Sequence, residues 1–123
     1  MNALGRHLLI ELKFCNKEVL DNLEFLRKCL IDTAQKIGAT VLNDVFHKFS
    51  PQGVSGVVVI AESHLCIHTW PEFGYAAVDV FTCGSTINPK DAIELLVKTL
   101  DCKDYSYMEL QRGILEEAGV TVK

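Results

Sequence analysis

Three β-rich runs, Val54 to Ala61, Leu65 to Trp70 and Tyr75 to Thr82, follow one another with only a few residues between them. Parallel neighbours need a crossover of a dozen or more residues, so breaks this short make the runs antiparallel neighbours. Within the first run, Val57-Val58-Val59-Ile60-Ala61 lacks the alternation of a strand with one wet face, which argues for a sheet covered on both sides.

The flanking sequence supplies the rest of the domain. Arg6 to Phe14 reads as a strand; Asn16 then caps a helix in which Val19, Leu23, Leu26, Leu30, Ala34 and Ile37 recur at helical spacing, and Gly38 stops it. Residues 40 to 50 resume a strand pattern before the turn Ser50-Pro51-Gln52-Gly53. Asn88-Pro89 starts a second helix, with Asp91 in its first turn, running to about Leu100; a last strand covers about Tyr105 to Gln111. The order β-α-β-β-β-β-α-β predicts an α+β fold, a two-layer α/β sandwich with two helices on one face of a mainly antiparallel sheet. Two helices cannot cover both faces. A second copy packing sheet against sheet supplies the missing cover and predicts a homodimer, a four-layer αββα arrangement. The 123 residues, 49% of them hydrophobic, suit one domain spanning 1–123, with no repeat, linker or low-complexity segment.

Charge and cysteine usage narrow the function classes. Twelve basic against sixteen acidic residues give a net charge of -4 with no Lys/Arg cluster, which disfavours nucleic acid as a partner. The five cysteines, Cys15, Cys29, Cys66, Cys83 and Cys102, form neither a CxxC pair nor a regular framework, as expected of a reducing, cytoplasmic setting. No apolar h-region opens the chain and no stretch approaches the ~20 apolar residues of a membrane span, so no membrane association is expected.

Chemistry-bearing side chains concentrate in Ala61-Glu62-Ser63-His64-Leu65-Cys66-Ile67-His68-Thr69-Trp70-Pro71-Glu72 and in Phe81-Thr82-Cys83-Gly84. Taken singly, each is most simply a hydrogen-bonded core or turn residue. His64 and His68 do not make a metal pair: four residues along a strand separate them by ~13 Å, and His64, Cys66 and His68 on one strand face offer no closed ligand set. Gly53-Val54-Ser55-Gly56 is not a GxSxG elbow either, since its second glycine directly follows the serine and no strand-to-helix turn is expected there.

Taken together, Glu62-Ser63-His64-Leu65, Ile67-His68-Thr69-Trp70-Pro71-Glu72 and Asp79-Val80-Phe81-Thr82-Cys83-Gly84 resemble the cleavage-site and active-site blocks of the short prokaryotic S-adenosylmethionine decarboxylases. Leu4-Gly5-Arg6-His7, Phe46-His47-Lys48-Phe49 and Gly53-Val54-Ser55-Gly56-Val57 resemble the same family, so the similarity spans nearly the whole chain. The resemblance implies a proenzyme that cleaves itself between Glu62 and Ser63 into chains of residues 1–62 and 63–123. Ser63 would attack the Glu62 carbonyl in an N-to-O acyl shift and end as a pyruvoyl group, with Ser55 stabilising the adduct and His68 taking the α-proton of residue 63. The ketone would form a Schiff base with the substrate amine and serve as electron sink, in place of pyridoxal phosphate and without a metal. Cys83 matches the family's proton donor, Phe49 its adenine-stacking aromatic and Glu72 its ribose-binding carboxylate. The substrate implied is S-adenosylmethionine, decarboxylated to the aminopropyl donor of spermidine and polyamine biosynthesis. A homodimer with active sites at the interface is implied too, Ser63 and Cys83 coming from one copy and some of Phe49, Ser55, His68 and Glu72 from the other. His7 and Glu11 lie on a strand that reaches the site, with no motif to place them. Two readings remain as alternatives: a pyruvoyl-dependent arginine or ornithine decarboxylase, for which Phe49 and Glu72 would be idle, and a non-enzymatic α+β ligand-binding module that stays intact at 13.7 kDa.

Overall fold

The computed structural model of the chain describes residues 3–61, 63–83 and 87–115. Strands β1 (Ala3–Lys13), β2 (Val41–Lys48), β3 (Val54–Ile60), β4 (Ser63–Trp70), β5 (Tyr75–Cys83) and β6 (Asp104–Ile114) form one antiparallel sheet. Its order is β2-β3-β4-β5-β1-β6. The four middle strands of the sequence are consecutive neighbours, as their short breaks require. The two longer connections carry helices instead, and each crosses one face of the sheet to reach its next strand.

The first helical segment is not the single helix its spacing predicts. It divides into α1 (Lys17–Leu20) and α2 (Leu23–Lys36), and hydrogen bonding explains the break. The Leu20 carbonyl, which a continuous helix would pair with an amide four residues on, accepts the Thr69 hydroxyl of β4 at 2.7 Å. Asp21 Oδ1 accepts the Gly53 amide at 2.8 Å and Lys48 Nζ at 3.0 Å. Each segment then has its own cap: Asn16 Oδ1 accepts from the amides of Glu18 and Val19, and Asn22 Oδ1 from that of Phe25. Tertiary bonds to the sheet thus override helical periodicity.

Helix α3 (Asp91–Thr99) begins two residues after Pro89. The amides of Asp91, Ala92 and Ile93 bond to carbonyls three residues back, so Asn88-Pro89 opens a tighter first turn before the α-helix proper. Strand β6 is longer than its sequence pattern suggests because it pairs with β1 from Asp104↔Lys13 to Ile114↔Ala3.

One face of the sheet meets both long helices. Leu8, Ile10, Leu12, Val58, Leu65, Ile67, Val78 and Val80 pack there against Leu26, Leu30 and Ala34 of α2 and Ala92 and Leu96 of α3, forming the core. Gly56 belongs to this face because the Phe46 ring on β2 occupies the space a Cβ would need. The opposite face carries no helix, yet it is rich in apolar groups: Val57 and Leu9 are half-buried, and Val45, Val59, Met108 and Leu110 are exposed. This open face also holds the alternate residues of the chemistry-bearing strands. No helix among the described residues is long and apolar enough to cross a membrane.

Candidate active site

Strand alternation puts Ser55 on β3, His64, Cys66 and His68 on β4, and Asp79, Phe81 and Cys83 on β5 on the open face. The register sets Ser55 opposite His68, and the two side chains meet, Oγ to Nδ1 at 2.8 Å. This contact joins a serine and an imidazole separated by 13 positions in the chain. It provides a hydroxyl that can polarise a carbonyl and a ring that can accept a proton.

Beside this pair lies a cleft of about 350 Å³ bounded by Phe49, Gln52, Gly53, Ser55, His68, Thr69, Trp70 and Glu72. Its walls are firmly tied to the domain. The Phe49 amide donates to the Gly53 carbonyl at 2.8 Å, and Gly53 adopts φ 106, a conformation that favours glycine. The Thr69 hydroxyl joins the Val54 amide (2.9 Å) to the Leu20 carbonyl, which anchors β4 to β3 and to α1. Glu72 stands in a 3-10 turn (Pro71–Phe73) closed by Gly74 at φ 62. Phe49 is exposed, and His47 meets it edge-on with ring centroids 4.7 Å apart. An exposed aromatic, an exposed carboxylate and a serine–histidine pair therefore share one recess, which suits a ligand with a flat ring and hydroxyl donors.

The other sequence-selected residues lie at the opposite end of β4. Ser63 is its first residue and His68 its sixth, a separation of about 16 Å along the strand. Cys83 ends β5 opposite Gly5 of β1 and lines a cavity of about 210 Å³ with Leu4, Gly5, Phe81, Arg112 and Gly113. Ser63 pairs with Ile60, a core residue, so its side chain points to the helix-covered side while Cys83 points to the open face. The Ser63 hydroxyl is buried and finds no hydrogen-bond partner. Ile60 and Ser63 flank a two-residue connection between β3 and β4. Glu62, the other side of the expected cleavage point, and Gly84 lie outside the described residues.

Thus one chain brings Phe49, Ser55, His68 and Glu72 together and keeps Ser63 and Cys83 apart from them. Between the two groups runs a row of rings, His64, Phe81 and His7, with centroids 5.7 and 5.3 Å apart. His7 Nε2 contacts Asp79 Oδ2 at 3.2 Å, which gives His7 the fixed place its motif could not supply. The Tyr75 hydroxyl donates to Glu11 Oε1 at 2.5 Å; burial first, and then this carboxylate, push the phenol up to about 12, so it remains a donor at neutral pH. Trp70 stacks near Tyr75 at 5.3 Å. Gln52 and Trp70 line the cleft without a role assigned from the sequence, and Tyr75 and Asp79 contact Glu11 and His7 across strands that local spacing does not relate.

The cysteines also separate. None of the five is joined in a disulfide. Burial pushes Cys15 up to about 12 and Cys29 up to about 11, and burial with nearby Asp79 raises Cys66, so these three stay neutral and serve packing. Cys102 donates to backbone carbonyls of Lys13 and Asp104. Among the described residues no three His, Cys, Asp or Glu side chains converge into a metal-ligand set.

Comparison with known proteins matches this arrangement to one family. A family model described as S-adenosylmethionine decarboxylase matches residues 6–113. The chain is 57% identical over 115 residues to the S-adenosylmethionine decarboxylase proenzyme of Thermodesulfovibrio yellowstonii, covering 94% of this chain and 85% of that protein. It is 56% identical over 117 residues to the proenzyme of Clostridium kluyveri, covering 95% and 93% respectively. The crystal structure of the adenosylmethionine decarboxylase from Aquifex aeolicus superposes with a TM-score of 0.87 at 35% identity, over 95% of this chain and 97% of the other. With the same fold over 95% of its length and a family match that takes in both ends of β4, the chain belongs to the S-adenosylmethionine decarboxylase family.

Proposed function

We propose that the chain is a self-processing, pyruvoyl-dependent decarboxylase of S-adenosylmethionine whose active site is completed by a second copy. The observation that carries this reading is the split described above: a preformed Ser55–His68 pair with its cleft at one end of the open face, and Ser63 with Cys83 at the other. One chain cannot bring these groups into contact. Packing the apolar open faces of two copies antiparallel lays each end over the other's opposite end, and it buries the exposed Val59, Met108 and Leu110.

In this assembly the Ser63 hydroxyl attacks the carbonyl of residue 62. The C–N bond breaks, the hydroxyl proton passes to the freed amine, and an ester results. Ser55 of the facing copy holds the developing oxyanion, and His68 removes the α-proton of residue 63, so the ester is eliminated. Elimination releases residue 62 as a carboxylate and leaves a dehydroalanine at residue 63; its imine tautomer takes up water and loses ammonia, so chains of residues 1–62 and 63–123 remain and the resulting ketone at residue 63 would supply the electron sink for loss of carbon dioxide. The cavity beside Cys83, walled by Leu4, Gly5 and Phe81, suits a small carbonyl group. Once the backbone is cut, residue 63 is a chain terminus, free of the alternation that turned its side chain away from Cys83. Cys83 then delivers the proton that replaces carbon dioxide. Phe49 stacks on the adenine, Glu72 accepts from the ribose hydroxyls, and the product is an aminopropyl donor for polyamine synthesis. Cysteines without disulfides suit the cytoplasm.

Intact-mass measurement on the purified protein tests the reading. Two fragments divided between residues 62 and 63 are expected, together with carbon dioxide release from S-adenosylmethionine and none from arginine or ornithine. Ser63→Ala is expected to remain a single uncut chain without activity. A cut Ser63→Ala variant removes Ser63 as nucleophile, and a wild-type chain that stays whole removes the mechanism.

A further inference from the structure

We propose that Thr82 holds the Ser63 hydroxyl in position for the attack that cuts the chain, a role that rests on the self-processing reading above. Strands β4 and β5 pair His64 with Phe81, and continuing that register by one residue sets Thr82 opposite Ser63. Thr82 is 1% exposed, and its hydroxyl, like that of Ser63, is buried with no hydrogen-bond partner. These are the two orphaned side-chain hydroxyls among the described residues, and they fall on adjacent strands on the same side of the sheet. Residues directly opposite in an antiparallel pair have Cβ atoms roughly 5 Å apart, so a change of rotamer brings one hydroxyl to the other.

Arg6, which pairs with Thr82 from the far side, is committed to Glu109 through contacts of 2.6 and 3.1 Å and has no acceptor to offer. Ser55 and His68 project from the open face, whereas the Ser63 hydroxyl points to the helix-covered face. The work therefore divides by face. Groups on the open side handle the carbonyl and the α-proton, while Thr82 orients the nucleophile from behind.

In the step itself the Ser63 oxygen bonds to the carbonyl carbon of residue 62, the C–N bond to residue 63 breaks, and the hydroxyl proton ends on the freed amine. Thr82 Oγ1 accepts the Ser63 O–H until that transfer and fixes its side-chain torsion for attack. No outside reagent enters.

The test compares cleavage time courses, by intact mass, of the wild type, Thr82→Val, Thr82→Ser and Ser63→Ala, each with and without hydroxylamine, which cuts an accumulated ester. Thr82→Val keeps the shape and removes a buried unpaired hydroxyl, so its melting temperature is expected to equal or exceed that of the wild type. Its cleavage should slow by about 10- to 100-fold, the effect of losing one orienting hydrogen bond. Hydroxylamine should not restore it, because the ester itself forms slowly, and Thr82→Ser should cleave near the wild-type rate. Wild-type cleavage with an equally fast Thr82→Val overturns the role of Thr82 alone. Full recovery of Thr82→Val by hydroxylamine, or a Thr82→Ser variant as slow as Thr82→Val, also overturns it. A wild-type chain that never cleaves overturns the self-processing reading first.

Discussion

At the end of the open face next to the β2–β3 and β4–β5 connections, Ser55 and His68 are already in contact, and a cleft of about 350 Å³ stands beside them with its loop tied to Asp21 at the end of α1. At the other end, Ser63 and Cys83 occupy neighbouring strands but project to opposite faces, and the serine hydroxyl is sealed in without a partner. The first end is assembled by strand register alone. On the self-processing reading proposed above, the second would gain its geometry only when the backbone is cut and a second copy covers it. On that reading folding and chemistry are ordered in time: a stable sandwich forms first, and its reactive end matures afterwards.

The proposed union of the two ends is most sensitive to the apolar open face. Val57→Asp places a charge in the middle of the apolar open face, at a half-buried position away from both clusters. Burying an unpaired carboxylate is prohibitive, so the variant is expected to run as a monomer in size-exclusion chromatography and to lose cleavage by more than about 100-fold. A monomer that still cleaves at the wild-type rate would show that one chain suffices.

A smaller effect separates the ends without disturbing their assembly. Phe49→Ala removes the aromatic from the cleft only, so chain cleavage should proceed normally while kcat/KM for S-adenosylmethionine falls by about 10- to 100-fold, the loss expected for one stacked base. Unchanged kcat/KM in steady-state assays would remove Phe49 from substrate recognition.

The smallest effect concerns the scaffold behind the Ser63 end. The Arg6 guanidinium, bonded to both oxygens of Glu109, holds that carboxyl below its ordinary range. A depressed carboxylate stabilises the fold above the unfolded value, near ~4.3, and this contribution disappears as pH falls through the folded value. Glu109→Gln should therefore be less stable by about 1 kcal/mol at pH 7, with the gap to the wild type closing in urea titrations as pH drops below ~4. A constant gap across that range would deny the pair its electrostatic role.

Much of this arrangement is legible in the amino-acid sequence. The antiparallel run from Val54 to Thr82, the helix start at Asn16 and the bare second face all follow from spacing and capping chemistry, whereas the second helix starts at Asp91 rather than at the Asn88-Pro89 signal. The break at Asp21-Asn22 does not, because its cause is a hydroxyl on Thr69, 49 residues from the Leu20 carbonyl that it engages. The site divides similarly. Local blocks mark Ser63, His68 and Cys83, whereas the contacts of His7 with Asp79 and of Tyr75 with Glu11 arise between strands distant in the sequence. The orientation of Ser63 away from Cys83 is equally a matter of parity, which a motif does not carry.

Complementation within a mixed dimer tests the composite site most directly. His68→Ala and Ser63→Ala chains, distinguishable by mass, are each expected to stay whole when expressed alone. When they are co-expressed, the His68→Ala chain should be cut, because its intact Ser63 meets the intact His68 of the other chain, while the Ser63→Ala chain remains uncut. If the His68→Ala chain stays whole in verified mixed dimers, the serine and the histidine that act together do not come from two copies, and the composite site does not exist.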